Sequence, residues 1–267
     1  MRFEDPQWAF LEPERPTGSG VLLLAGSSGR VDVQRAHLLQ AHGATVLAIR
    51  WFGGPGQQPG PFEVPIELFI EALDHLEPHV DSLAIAGTSF GGEAALLTAT
   101  VDSRIRATVG FAASSVVWPG WNGNEWLSHW TWQGDPVPFV PLDTTWEPAE
   151  EPPSFLPLYD AGLQHQDGRI GSIDVECITG TLLLVAGGND LVWPSIRFAE
   201  QIAERRWKHG LATEVVSHPR AGHRVTLPNE DPPANGMTIA RGGTPEADAE
   251  LGRASWPAIA RALHLRT

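Results

Sequence analysis

Short apolar runs alternate along the chain with segments whose apolar residues recur every three or four positions. The runs are VLLLAG (21–26), ATVLAIRWF (44–52), SLAIAG (82–87), ATVGFAA (107–113), TLLLVAGG (181–188) and ATEVVSHP (212–219). Between them lie the helical patterns DVQRAHLLQAHG (32–43), PIELFIEALDHL (65–76), GGEAALLTAT (91–100) and SIRFAEQIAERRWKHG (195–210), with a last helix near 245–264. Strands with unbroken apolar character need cover on both faces, and helices between consecutive strands supply it as crossovers. The pattern predicts one α/β domain over 1–267 with a mostly parallel central sheet.

Residues 118–170 break the rhythm. They are rich in Pro, Trp and Gly, show little periodicity, and hold six of the chain's 11 tryptophans between 118 and 146. A long irregular segment inside a compact domain is usually functional or disordered, and so many large rings need burial. The segment reads as an insertion over the carboxyl edge of the sheet, a lid or pocket wall; a structural loop that plugs a gap is the plainer alternative. Trp118, Trp121 and, beyond the insertion, Trp193 are candidates for the lining of an apolar pocket.

Charge narrows the list of partners. The 267 residues carry 18 Lys+Arg against 32 Asp+Glu, a formal charge of −14. Nucleic acid and anionic membrane surfaces are themselves negative, so neither is an expected partner. No run reaches the ~18 apolar residues of a membrane span, and the acidic start MRFEDPQWAF lacks the layout of a secretory signal. The expectation is a cytoplasmic protein with a small-molecule substrate. A single cysteine, Cys177, allows no internal disulfide. The ten histidines show no H-E-x-x-H spacing, and no phosphate loop of the G-x-x-x-x-G-K type is present, so no metal and no cofactor is expected.

The candidate chemistry starts at Gly87-Thr88-Ser89-Phe90-Gly91, which fits G-x-S-x-G. The motif follows a predicted strand and opens a predicted helix, the setting of a nucleophile elbow. There the serine takes a strained backbone conformation, and only small flanking residues let strand and helix approach. The helix start then offers unpaired N–H groups where an oxyanion would form.

A serine hydroxyl needs a base. Of the ten histidines, His37, His42, His75, His79 and His209 fall on or at the ends of helices, and His129 and His165 lie in the insertion, within reach of a substrate. His223, in the small-residue loop PRAGHRV after the run 212–219, is the expected base; His218, on the run itself, is second. The acid should lie between serine and histidine in chain order, at another strand end. LLLVAGGNDLVWPS places Asp190 there, able to hold the imidazole in the required tautomer. The oxyanion would be held by the N–H of Phe90 and by one from LLAGSSGR, expected from Ser27, with Ser28 close behind on the pocket wall.

These stretches also resemble a known family. GVLLLAGSSGRVDVQRAHLLQAHGATVLAIRWFG, GTSFGGEAALL, LLLVAGGNDLVWPS, SHPRAGH and RGGTPEADAELGRASWPAIARAL are similar to the C-terminal catalytic domain of the acyl-CoA thioesterase / bile acid-CoA:amino acid N-acyltransferase family, with dienelactone hydrolases as more distant relatives. The resemblance implies an α/β-hydrolase fold and puts nucleophile, acid and base on Ser89, Asp190 and His223. It also implies that serine, rather than the cysteine of the amino-acid transferases, favours water as acyl acceptor. The family's N-terminal β-sandwich domain is expected to be absent, since about 20 residues precede the first strand of the sheet.

The expected function is therefore a serine hydrolase that cleaves an ester or thioester through an acyl-enzyme, with an acyl-CoA thioesterase as the narrower reading. A general carboxylesterase, an amine-directed acyltransferase and a non-catalytic scaffold for an apolar ligand are the alternatives. Binding CoA would require a local cationic patch, for which Arg30, Arg50, Arg220 and Arg224 are available near loop ends.

Overall fold

The computed structural model describes residues 8–166, 169–231 and 237–267. In chain order its strands are β1 (Trp8–Leu11), β2 (Ser19–Leu24), β3 (Thr45–Ile49), β4 (Val64–Pro65), β5 (Ser82–Thr88), β6 (Ile105–Phe111), β7 (Pro119–Trp121), β8 (Trp126–Ser128), β9 (Trp130–Trp132), β10 (Asp135–Pro136), β11 (Thr181–Gly187) and β12 (Glu214–His218). The helices are α1 (Val33–Ala41), α2 (Glu67–Leu76), α3 (Phe90–Val101), α4 (Leu156–Gln164), α5 (Ser195–Lys208) and α6 (Pro245–Ala262).

Seven strands form one sheet in the order β1-β3-β2-β5-β6-β11-β12. Only β1 runs antiparallel, on the outer side of β3; the other neighbours are parallel. β1 does not show as a strand in the sequence because it is four half-buried residues at a sheet edge, without the buried apolar run of its neighbours. The central strands β2, β3 and β6 are almost wholly buried, which is what their continuous apolar character requires.

Each face of the sheet has its own core. Leu22, Leu24, Ile85, Leu184 and Ala186 join Phe69 and Leu73 of α2 and Ala95 and Leu96 of α3 on one side. Val21, Leu23, Val109, Leu183 and Val185 meet Leu39 of α1 and Leu251 and Ile259 of α6 on the other. Neighbouring residues of one strand thus serve opposite layers.

Residues 118–170 are more ordered in pattern than the sequence suggests. β7 and β8 form a hairpin, β10 and β9 join β4 in a small three-stranded sheet, and α4 follows. Trp118 and Trp130 are fully buried: Trp130 joins the first core, while Trp118 with Tyr159 and Leu163 of α4 builds a third apolar cluster that includes Trp193 and Phe198. Much of this insertion packs into apolar core. No helix among the described residues is long and apolar enough to cross a membrane.

Candidate active site

The carboxyl ends of β5, β11 and β12 bring the three expected residues together. Ser89 stands between β5 and α3 with φ +57° and ψ −124°, a left-handed backbone that a serine rarely adopts. Its N–H donates to the Phe111 carbonyl (2.8 Å) and its carbonyl accepts from Glu93 N–H (3.0 Å), so both sides of the turn are fixed. Flanking glycines make the turn possible. A Cβ on Gly87 would collide with the Gly91 carbonyl, and one on Gly91 with the Ala25 carbonyl.

Asp190 follows the β11 bend and is buried. Its Oδ2 accepts from His223 Nδ1 (2.8 Å) and from the Ser195 hydroxyl, and its Oδ1 from the N–H groups of Val192 (2.8 Å) and Trp193 (3.3 Å). His223, also buried, lines one cavity together with Ser89. The His223 N–H donates to the Arg241 carbonyl (2.9 Å) and Gly222 N–H to Asp248 Oδ1 (2.7 Å). His218 points elsewhere, with Nε2 3.1 Å from Glu250 on α6.

The cavity measures about 420 Å³. Ala25, Gly26, Ser27 and Ser28 form one wall and Phe90 lies beside Ser89. The amides of Ser27 and Phe90 have no acceptor among the described residues, whereas Ser28 N–H donates to the Gly26 carbonyl (2.8 Å). Two unused N–H groups therefore flank the serine, the arrangement an oxyanion requires.

Of the proposed pocket residues, Ser28 lines the cavity, while Trp118, Trp121 and Trp193 are not among its described lining. Trp118 is buried against Tyr159, its indole donating to Ser114 (2.9 Å). Trp121 sits half-exposed on the β7–β8 hairpin against Trp126. Trp193 lies behind the site: its ring meets Phe90 edge-on at 5.0 Å and His223 at 5.5 Å, and its indole N–H donates to the Ala112 carbonyl (3.1 Å). The apolar lining comes instead from Val31, Val33, Val192, Met237 and Ile239.

Of the two insertion histidines, His165 is exposed and bonded to Ala161 at the end of α4, and His129 is buried beneath Phe90, ring centroids 4.1 Å apart. Burial pushes the His129 imidazole down to about 3, so it stays neutral in the folded protein. Its unfolded form takes up a proton below about pH 6.5 and the folded form does not, so stability is present above that pH and lost as pH falls from 6.5 towards 3. In urea titrations across this window, replacing His129 by Phe is expected to flatten the fall.

Two features had no sequence signal. Arg35 of α1 is buried and spans the floor of the site. It pairs with Glu230 (Nε–Oε1 2.8 Å, Nη2–Oε2 2.9 Å), donates to Thr88 Oγ1 (3.2 Å), the residue before Ser89, and to the carbonyl of Val225 (2.9 Å), two past His223. Its partner Glu230 lies 195 positions away, beyond any local pattern. The second is the course of the segment 237–243: in sequence, NEDPPANGMTIARGGTPEAD (229–248) reads as surface structure beside the His223 loop, with a border of the site as the alternative, but no pattern shows what it joins. Of that stretch, residues 232–236 lie outside the described residues; Arg241 and Gly242 run between the Asp190 and His223 loops. Asp190 bridges Gly242, and the Arg241 carbonyl accepts from both Leu191 and His223.

Of the four arginines considered as a patch, Arg30 and Arg224 line the cavity, joined by Arg241. Arg220 is three-quarters exposed beside Glu250, and neither it nor Arg50 is among the described lining. Burial lowers Arg224 and Arg241 from the usual arginine value; Arg30 depresses Arg224 further, and Arg224 does the same to Arg241. In a chain of charge −14, the cavity lining holds four arginines, Arg30, Arg35, Arg224 and Arg241, of which Arg35 pairs with Glu230, alongside the acids Asp32 and Asp231.

Comparison with known proteins agrees with this architecture. The family model described as "BAAT / Acyl-CoA thioester hydrolase C terminal" matches residues 64–266. The chain belongs to this family. It is 27% identical to human acyl-coenzyme A thioesterase 6 over 96% of its length, and 26% identical to mouse acyl-coenzyme A amino acid N-acyltransferase 2 over 94%. It spans only 62% and 60% of those two relatives. Among solved structures, a candidate dienelactone hydrolase from Klebsiella pneumoniae superposes with a TM-score of 0.54 at 15% identity, covering 95% of this chain and 89% of that one. The protein m3DLH gives 0.53 at 21% identity, with 98% and 89% covered. The fold is that of the α/β hydrolases.

Proposed function

We propose that this member of the family is a serine hydrolase that cleaves carboxylic thioesters or esters through an acyl-enzyme. The observation that carries the reading is the strained Ser89 turn in one cavity with His223, whose far nitrogen is held by a buried Asp190. In the proposed reaction Ser89 Oγ attacks the acyl carbonyl as His223 Nε2 takes its proton. The N–H groups of Phe90 and Ser27 receive the oxyanion. Collapse breaks the bond to the leaving thiol or alcohol, which leaves with the proton from His223. Water, deprotonated by the same imidazole, then attacks the acyl-serine and releases the acid and the free hydroxyl. Asp190 orients the ring and balances its transient positive charge.

A fluorophosphonate probe tests the nucleophile: it should add once to native protein, on the peptide containing Ser89. An unlabelled Ser89 in folded protein would point to a ligand-binding scaffold instead.

The names of the thioesterase relatives and the cavity arginines Arg30, Arg224 and Arg241 favour an acyl-CoA over a neutral ester, because CoA brings several phosphate charges. Arg30→Gln and Arg224→Gln should each raise KM for acyl-CoA about tenfold, the worth of one charge-assisted contact. KM for short p-nitrophenyl esters should rise much less. Equal changes for both substrates would remove the CoA reading. The transferase relative keeps amine acceptors open to test: glycine or taurine added to the assay would divert acyl product into an amide if the chain shares that activity.

A further inference from the structure

The first turn of the nucleophile helix contains an acid that the proposed reaction does not use. Glu93, four residues after Ser89, is completely buried. Its Oε1 accepts from the Trp130 indole N–H (2.6 Å) and from the Trp118 backbone N–H (3.3 Å), both in the insertion. Oε2 has no partner, and neither has the buried Nδ1 of His129, which lies 4.0 Å from Oε1. Among the described residues no lysine or arginine pairs with Glu93; the titratable groups beside it are His129, 4.0 Å away, and Tyr159, which feels its charge.

A bare carboxylate cannot be buried this way without a large desolvation penalty, since neither a cation nor a full set of donors is present. A neutral acid can. It would accept through one oxygen and donate its proton through the other, and the orphan imidazole nitrogen, 4.0 Å from Oε1, is the acceptor at hand. Burial raises the carboxyl well above its ordinary range and lowers the imidazole, leaving a neutral donor beside a neutral acceptor.

What this pair would hold is the oxyanion side of the site. The His129 ring lies against the Phe90 ring, Phe90 against Trp193, and Trp193 against His223. Phe90 supplies one of the two free amides beside Ser89. We propose that Glu93 is a positioning residue that acts as a neutral acid, sharing its proton with His129 and pinning Trp118 and Trp130 to the helix that carries Ser89 and Phe90.

This rests on the serine-hydrolase reading for its kinetic consequence but not for its chemistry, and the tests separate the two. An infrared difference spectrum of wild type minus Glu93→Gln at neutral pH should show the carbonyl stretch of a protonated carboxylic acid. His129→Phe, which keeps a ring against Phe90 but removes the acceptor, should shift that band to higher frequency. Glutamine copies a neutral acid, with one acceptor and one donor end, so Glu93→Gln should keep kcat within about twofold. Glu93→Ala should lower kcat by about tenfold or more, with KM little changed, because a displaced Phe90 amide acts on the transition state. No acid band, a glutamine variant as impaired as the alanine one, or an alanine variant with wild-type kcat would each overturn the proposal. If the alanine variant fails to fold, the band and the glutamine rescue still decide it. Should Ser89→Ala retain activity, the hydrolase reading fails while the infrared result stands by itself.

Discussion

Replacing Ser89 by alanine is expected to lower kcat on a thioester or ester substrate by about 10⁵ to 10⁶, close to the background set by the remaining groups. The loss should be kinetic and not conformational. Alanine removes the hydroxyl but inherits the backbone strain, since φ is +57° at this position. Glycine removes both. Ser89→Gly should therefore be as inactive as Ser89→Ala yet unfold later in urea, by about 1 kcal/mol or more, because glycine enters the left-handed region without a Cβ clash. Steady-state rates and urea midpoints for the two variants give four outcomes to compare. An alanine variant with even a hundredth of wild-type turnover would place the nucleophile elsewhere.

Strain at the nucleophile explains why this part of the site is readable from the chain. A serine in a left-handed turn between a buried strand and a buried helix requires small neighbours, and Gly87 and Gly91 record that requirement locally. Asp190 and His223 are readable for a related reason, each closing a short loop after an apolar strand. The insertion is less legible. α4 begins with Leu156-Pro157, and a proline in a Trp- and Pro-rich stretch reads as a breaker, although the first helical turn tolerates it because its N–H has no intrahelical partner. The tryptophans announce burial but not its direction, and Trp118 and Trp193 turn inward behind the site instead of lining it. Arg35 with Glu230 could not be paired from sequence, since contact between residues so far apart is decided only once α1 and the His223 loop meet. Glu93 did leave a trace: it is the one charged residue in the helix FGGEAALLTATV, at a position the fold buries.

These residues divide the labour around Ser89 by distance. Backbone groups and three side chains would meet the reacting atoms. Behind them, Arg35 ties Thr88 to the stretch after His223, while the 237–243 segment joins the two loops that carry acid and base. The Trp-rich insertion adds a third tie through Glu93 and the stack from His129 to Trp193. On this view the insertion backs the oxyanion side, while the described cavity lining includes Val33 and Met237, both exposed.

The acid offers the second large effect, and the surroundings of Asp190 dictate its form. In Asp190→Asn the amide must choose which end faces which donors. The Oδ1 position receives two backbone N–H groups, from Val192 and Trp193, so the amide oxygen has to stay there. The NH2 is then forced into the Oδ2 position, towards Ser195 and His223 Nδ1. The Ser195 hydroxyl can rotate to accept, but an imidazole nitrogen facing a donor must itself be unprotonated. That leaves the proton of the neutral ring on Nε2, the nitrogen that should take the proton from Ser89. The variant thus keeps its fold and holds His223 in the unproductive tautomer, with no carboxylate to offset the imidazolium charge. A fall in kcat of about 10⁴ with little change in KM is expected. The measurement is kcat and KM alongside a urea midpoint. Turnover above a tenth of wild type would mean that Asp190 does not orient the base.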